Sequence, residues 1–189
     1  MIRIGILGDI GSGKSYVAKN FGYPVFNADI EVGKLYKKDR KIFNNLKKIL
    51  PKYIYSFPIN KNEISNAILA NKINLKKIVK IVHLEIRKKM NIFLNKNKKK
   101  KIVILDIPLL LENNINKKDD ILVFVKSKKS EVQKRLKKRK NFNSKILNKF
   151  KNIQLSSSYK KKNSQYIINN NFTKESVKIG IRKIITQIL

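Results

Sequence analysis

The stretch Gly8-Asp9-Ile10-Gly11-Ser12-Gly13-Lys14-Ser15 decides how the rest of the chain is read. It fits the pattern G-x-x-x-x-G-K-[ST], and its surroundings fit as well. Upstream, Ile2 to Leu7 is a short apolar run of strand type. Downstream, Ser15 to Phe21 places Val17, Ala18 and Phe21 at helix spacing. In such a context the glycines let the backbone wrap close to phosphate oxygens, and successive N–H groups converge at a helix start. A lysine at this place neutralises the β- and γ-phosphates, and the hydroxyl beside it reaches Mg²⁺. The competing reading is a glycine-rich turn without a ligand. In a chain with 7 Gly, 39 Lys and 14 Ser plus Thr, a chance match to the pattern is roughly 0.4%. The stretch from Gly8 to Tyr16 is therefore expected to bind an ATP-like nucleotide, with Lys14 on the phosphates and Ser15 on the metal.

Working outward, Tyr23 to Phe26 reads as a second short strand, with Pro24 near its start. From Ile30 to about Leu94 the spacing is helical, broken near Pro51 and Pro58. Ile64, Ile68, Leu75, Ile78, Val79, Val82, Ile86 and Met90 recur there every three to four residues. Ile102 to Asp106 is the clearest strand, and Ile121 to Val125 is another. A basic helical stretch is expected from Ser127 to about Ser158, a last strand at Tyr166 to Ile168, and a closing amphipathic helix from Lys174 to Leu189. Near-continuous apolar strands alternating with helices imply an α/β fold whose parallel sheet is covered on both faces.

Composition sets the outer limits. The chain has 189 residues and no cysteine, which excludes disulfides and thiolate metal sites. The N-terminal segment is too short for a signal peptide, and no apolar run approaches the ~20 residues of a membrane span. The expectation is a cytoplasmic protein without a membrane partner. The net charge of +33 invites a nucleic-acid reading. However, Lys, Ile and Asn supply 92 of the 189 residues, whereas Arg supplies only 6. All three have A/T-rich codons, and the lysines are scattered rather than striped. The charge is read as compositional background, with no specific nucleic-acid partner.

Further positions outside this loop are candidates for chemistry. Asp29 lies just past the second strand, and Asp106 ends the third. Ligands of open parallel sheets bind outside the carboxyl ends of strands, so both should serve the crevice of the phosphate loop. Asp106, after four apolar residues, suits a Mg²⁺ ligand acting directly or through water. Asp29 suits the orientation and deprotonation of an acceptor hydroxyl. Either could instead be a helix N-cap. Arg135 and Arg139 share a helix face and are candidates for bidentate phosphate contacts from a lid that excludes water. His83, four residues before Arg87, stays open between a structural and a functional role. A lone histidine without cysteine makes no zinc site.

Read together, these segments resemble the dephospho-coenzyme A kinase family, in order and over nearly the whole chain. Ile4 to Ser15 is similar to the family's opening, and Val25-Phe-Asn-Ala-Asp29 to its D-A-D segment. Ile81-Val-His83-Leu-Glu-Ile-Arg87 resembles its H-P-x-[VI]-R helix. Val103-Ile-Leu-Asp106-Ile-Pro108-Leu109-Leu-Leu-Glu112 resembles its D-[IV]-P-L-L-[FV]-E stretch. Gln133, Arg135 and Arg139 are similar to the start of its lid. Gln154 and Tyr166-Ile-Ile-Asn-Asn170 resemble the approach to its last strand. The sequence departs from the pattern at Asp9 (often glycine), Asn27 (the first aspartate of D-A-D), Leu84 (proline) and Lys160 to Lys162 (where an arginine is common).

The resemblance implies a P-loop kinase-type three-layer fold with a five-stranded parallel sheet, a helical acceptor-binding insertion and a helical lid. The core would comprise about 1–29, 100–126 and 163–189, the acceptor-binding helices about 30–99, and the lid about 127–162. It implies ATP- and Mg²⁺-dependent phosphorylation of the ribose 3′-hydroxyl of dephospho-coenzyme A, by a monomer. Asp29 would be the base, with Lys14 and Arg139 neutralising the transferring group. Arg135 and Asn170 would add to the nucleotide contacts of Gly8 to Tyr16. His83, Arg87, Pro108 and Leu109 would join Asp29 in binding the acceptor, and Ser15 and Asp106 would hold the metal. Two other readings make different predictions. A nucleoside or nucleotide monophosphate kinase would ignore dephospho-coenzyme A, and a nucleic-acid-binding ATPase would be stimulated by RNA or DNA.

Overall fold

The computed structural model of the chain describes residues 1–139 and 142–189. It divides into two compact units. The first comprises Met1–Asn27, Leu94–Phe142 and Gln154–Leu189, and the second Ala28–Phe93 and Asn143–Ile153.

The first unit is built on five strands: β1 (Ile2–Gly8), β2 (Val25–Asn27), β3 (Ile102–Asp106), β4 (Ile121–Lys126) and β5 (Tyr166–Asn169). They pair in the order β2-β3-β1-β4-β5, and every pair is parallel. All five therefore present their carboxyl ends along one edge, where β1 runs into the glycine-rich loop. Parallel strands are covered on both faces, which is why β3 reads as an unbroken buried run.

Side chains divide by parity between the two faces. Ile4, Ile6, Ile102, Ile104, Val123, Val125 and Ile168 point to one side. There α1 (Lys14–Asn20) and α9 (Lys174–Ile188) cover them with Val17, Ala18, Val177, Ile181 and Ile184. Complete burial of each such aliphatic side chain contributes about 1.5–3 kcal/mol. On the other side, Gly5 makes room for Leu110, whose Cδ2 lies only 2.5 Å from where a Cβ on Gly5 would stand. The same unit contains α6 (Lys129–Lys137) and α8 (Ser157–Lys162).

The second unit is helical, with α2 (Ala28–Lys38), α3 (Arg40–Ile49), α4 (Lys61–Ala70), most of α5 (Lys72–Lys96) and α7 (Ser144–Lys151). Its buried stripe on α5 is Leu75, Ile78, Val82, Ile86 and Met90, matching the predicted spacing. Glu63 closes the loop before α4 by accepting from the backbone N–H groups of Tyr55 and Ser56 and from the Ser56 hydroxyl. Lys149 of α7 donates to the Leu69 carbonyl of α4 at 2.8 Å, so these two helices pack together.

Two expectations are refined. The helical stretch expected from Ser127 to about Ser158 is, among the described residues, divided into α6, α7 and α8, because Asn143 and Ser156 act as N-caps and accept from Ile146 N and Tyr159 N. The second strand starts at Val25 rather than Tyr23. Pro24 has no N–H to give, although its carbonyl accepts from Ile104 N at 2.9 Å.

Candidate active site

The loop after β1 has the shape that phosphate needs. Gly11 and Gly13 adopt φ of 86° and 91°, a region hostile to other residues. Gly13 is also sterically committed. A Cβ there would lie 2.4 Å from the Asn170 side-chain nitrogen, which donates to the Ser12 carbonyl at 2.8 Å. Asn170, just past β5, thus braces the loop from behind. The Lys14 ammonium is drawn back onto the loop and donates to the carbonyls of Gly8 and Asp9 at 3.0 and 2.9 Å. Among the described residues, the buried Ser12 hydroxyl has no hydrogen-bond partner and is free to serve an oxygen-rich ligand. Ser15 and Tyr16 follow on the first turn of α1, beside Lys14.

Asp106 ends β3 and is almost fully buried. Burial raises its carboxyl above the ordinary range, against the lowering effects of the Ser15 hydroxyl, the Lys14 charge and the Asn27 amide. Asn27 faces it in register from the end of β2. One buried carboxylate with one hydroxyl suits Mg²⁺, which takes few protein oxygens and completes its shell with water and phosphate. Among the described residues no group of three or more His, Cys, Asp or Glu forms an all-protein cage. The donor set therefore fits a metal carried with the nucleotide.

Arg135 on α6 lies over the ring of Phe172, 4.4 Å from its centroid, in the segment that follows Asn170. Arg139 is exposed in the turn after α6. Pro108 and Leu109 open the turn after Asp106, and the Pro108 carbonyl faces Gln154 Nε2 at 3.5 Å. In the second unit, Asp29 occupies the first turn of α2, and His83 and Arg87 lie one turn apart on α5. Burial and then the Arg87 charge hold His83 below its ordinary value of 6.5, so it is neutral at physiological pH.

Three residues with clear parts in this geometry were not foreseen as such. Asn27 appears in the sequence only as a missing aspartate, although its place at the end of β2 opposite Asp106 was readable from the strand pattern. Phe172, under Arg135, and Ser157, whose hydroxyl donates to the Asp9 carboxylate, have no signal in the sequence, because each is placed by a tertiary contact.

A parallel sheet with this loop between β1 and α1, and a buried aspartate ending the neighbouring strand, defines a P-loop phosphotransferase. Solved structures share the fold. A Thermus thermophilus protein superposes with a TM-score of 0.76 at 21% identity, covering 100% of this chain and 98% of that one. Dephospho-CoA kinase from Campylobacter jejuni gives 0.64 at 20% identity, covering 98% and 96%. Sequence comparison is more specific. The dephospho-CoA kinase of Wolbachia pipientis wMel is 34% identical over 187 residues, which is 96% of this chain and 95% of that protein. The dephospho-CoA kinase of Ehrlichia canis is 27% identical over 194 residues, covering 100% and 96%. The dephospho-CoA kinase family model matches residues 2–175. The chain belongs to the dephospho-CoA kinase family, kinases that use ATP to phosphorylate dephospho-CoA to coenzyme A.

Proposed function

We propose that this chain makes coenzyme A by phosphorylating the ribose 3′-hydroxyl of dephospho-coenzyme A, in the cytoplasm and as a monomer, with Asp29 as the base. The observation that carries this reading is the concentration of Gly8 to Tyr16, Asp106, Asn27 and Asn170 at the carboxyl edge of one parallel sheet. Among the described residues no helix is long and apolar enough to cross a membrane.

Phosphoryl transfer leaves the protein little covalent work, so positioning and charge neutralisation dominate. Ser15 and Asp106 would hold Mg²⁺, which when bound offsets the charge of the phosphate oxygens. Lys14 would leave the neutral carbonyls of Gly8 and Asp9 for phosphate oxygens, where its charge gains more. Arg135 would add to nucleotide binding and Arg139 would meet the transferring group. Asp29 would accept the proton of the 3′-hydroxyl. His83 and Arg87 would bind the acceptor, as would Pro108 and Leu109. His83, being neutral, would act by hydrogen bonding and leave the charge to Arg87.

Two variants separate these roles. Lys14→Ala should weaken ATP binding and reduce turnover by on the order of 10²–10³ or more. Asp29→Ala should abolish turnover while ATP affinity stays near wild type. Normal turnover by Asp29→Ala would remove it from the mechanism.

A further inference from the structure

Asp9 places a carboxylate in the very loop that has to wrap phosphates. In the structure both of its oxygens accept from one donor, the Ser157 hydroxyl, at 2.6 and 2.7 Å. Ser157 is the first residue of α8, and that segment is anchored on both sides of it. Glu112 accepts the Leu155 N–H at 2.9 Å. The same Glu112 oxygen lies 3.0 Å from the ammonium of Lys160, a lysine only 1% exposed. That contact is an ion pair off the line of a directed hydrogen bond. The Ser156 hydroxyl caps the helix by accepting from Tyr159 N. Ser157 is therefore a fixed donor, although its own side chain is exposed.

The phosphate loop offers an anion two kinds of attraction, its N–H groups and the Lys14 ammonium. A loose carboxylate on the same loop would compete for both and would repel phosphate. We propose that Ser157 is a positioning residue for nucleotide binding, which holds the Asp9 carboxylate toward α8 and keeps that charge out of the phosphate nest. The inference rests on the loop being the nucleotide site.

The test is ATP affinity measured by calorimetry without turnover, on wild type, Ser157→Ala, Asp9→Asn and the double variant. Ser157→Ala should bind ATP about five- to tenfold more weakly at low salt, and the loss should shrink as salt screens the repulsion. Asp9→Asn should bind at least as tightly as wild type, and the double variant should match Asp9→Asn. Wild-type affinity in Ser157→Ala would overturn the inference. So would a double variant that keeps the full Ser157→Ala loss, since a merely structural hydroxyl would not depend on the Asp9 charge. Weaker ATP binding by Asp9→Asn alone would overturn it as well. If wild type itself bound no ATP, the nucleotide-site reading would fail first, and that result is distinct from the others.

Discussion

Asn27 and Asp106 end adjacent parallel strands in register, and the Asn27 amide donates to the Asp106 carboxylate at 2.5 Å. This contact orients the buried Asp106 carboxylate at the carboxyl edge of the sheet. A second aspartate at position 27 would set two carboxylates against each other, and one of them would hold a proton. An amide satisfies the same geometry without that conflict.

Asn27→Ala should therefore disturb the metal rather than the nucleotide. Loss of a residue that orients a metal ligand commonly costs 10–100-fold, so we expect the Mg²⁺ concentration for half-maximal rate to rise by about that factor. A Mg²⁺ titration of the reaction rate checks this. An unchanged requirement would detach Asn27 and Asp106 from the metal.

Asp106 also makes a stability prediction whose sign follows from its raised pKa. Above the ordinary value of 3.8, the metal-free folded protein binds this proton more readily than the unfolded chain. Stability is therefore lost as pH rises through the raised value. Asp106→Asn removes that burden, so in chelator at pH 7 the variant should melt above wild type while its turnover collapses. A lower melting temperature under those conditions would contradict the account.

His83 has the opposite sign. Its folded form prefers to be neutral, so its contribution is full above pH 6.5 and is lost as pH falls below that value. Unfolding free energies of wild type and His83→Gln, compared from pH 7.5 to 5, should differ by a constant above 6.5 and diverge below it, with wild type losing more.

Arg3 and Asp120 tie the start of β1 to the turn before β4 through a buried ion pair at 2.9 Å. Asp120 also accepts from Lys117 N. Removing one partner leaves the other charge buried, so Asp120→Ala should cost about 3–5 kcal/mol in denaturant melts. The double variant Arg3→Met, Asp120→Leu should lose much less. Equal losses in the two would show that the pair matters for packing alone.

The parts of this fold legible in the sequence are those with local causes. The glycine pattern forces the loop, and apolar runs force β1, β3 and β4. Asp106 can be read because it ends such a run. The basic stretch after Ser127 shows its helical character but not its internal boundaries, because lysine and asparagine are too common here to mark them. Only the capping contacts of Asn143 and Ser156 reveal the breaks. Lys160 is the sharpest case. In the sequence it is one of three consecutive lysines, yet the fold buries it against Glu112, 48 residues earlier in the chain. Pairings of that separation leave no periodic trace.

The most direct test is phosphorylation by the purified protein, given ATP and Mg²⁺, of dephospho-coenzyme A alongside a panel of nucleosides and monophosphates. The products would be identified by mass and the modified hydroxyl by fragmentation. The account predicts coenzyme A with phosphate on the ribose 3′-oxygen, and no comparable product from the other acceptors. ATP binding without coenzyme A formation, or preferential phosphorylation of a nucleoside or monophosphate, would contradict it.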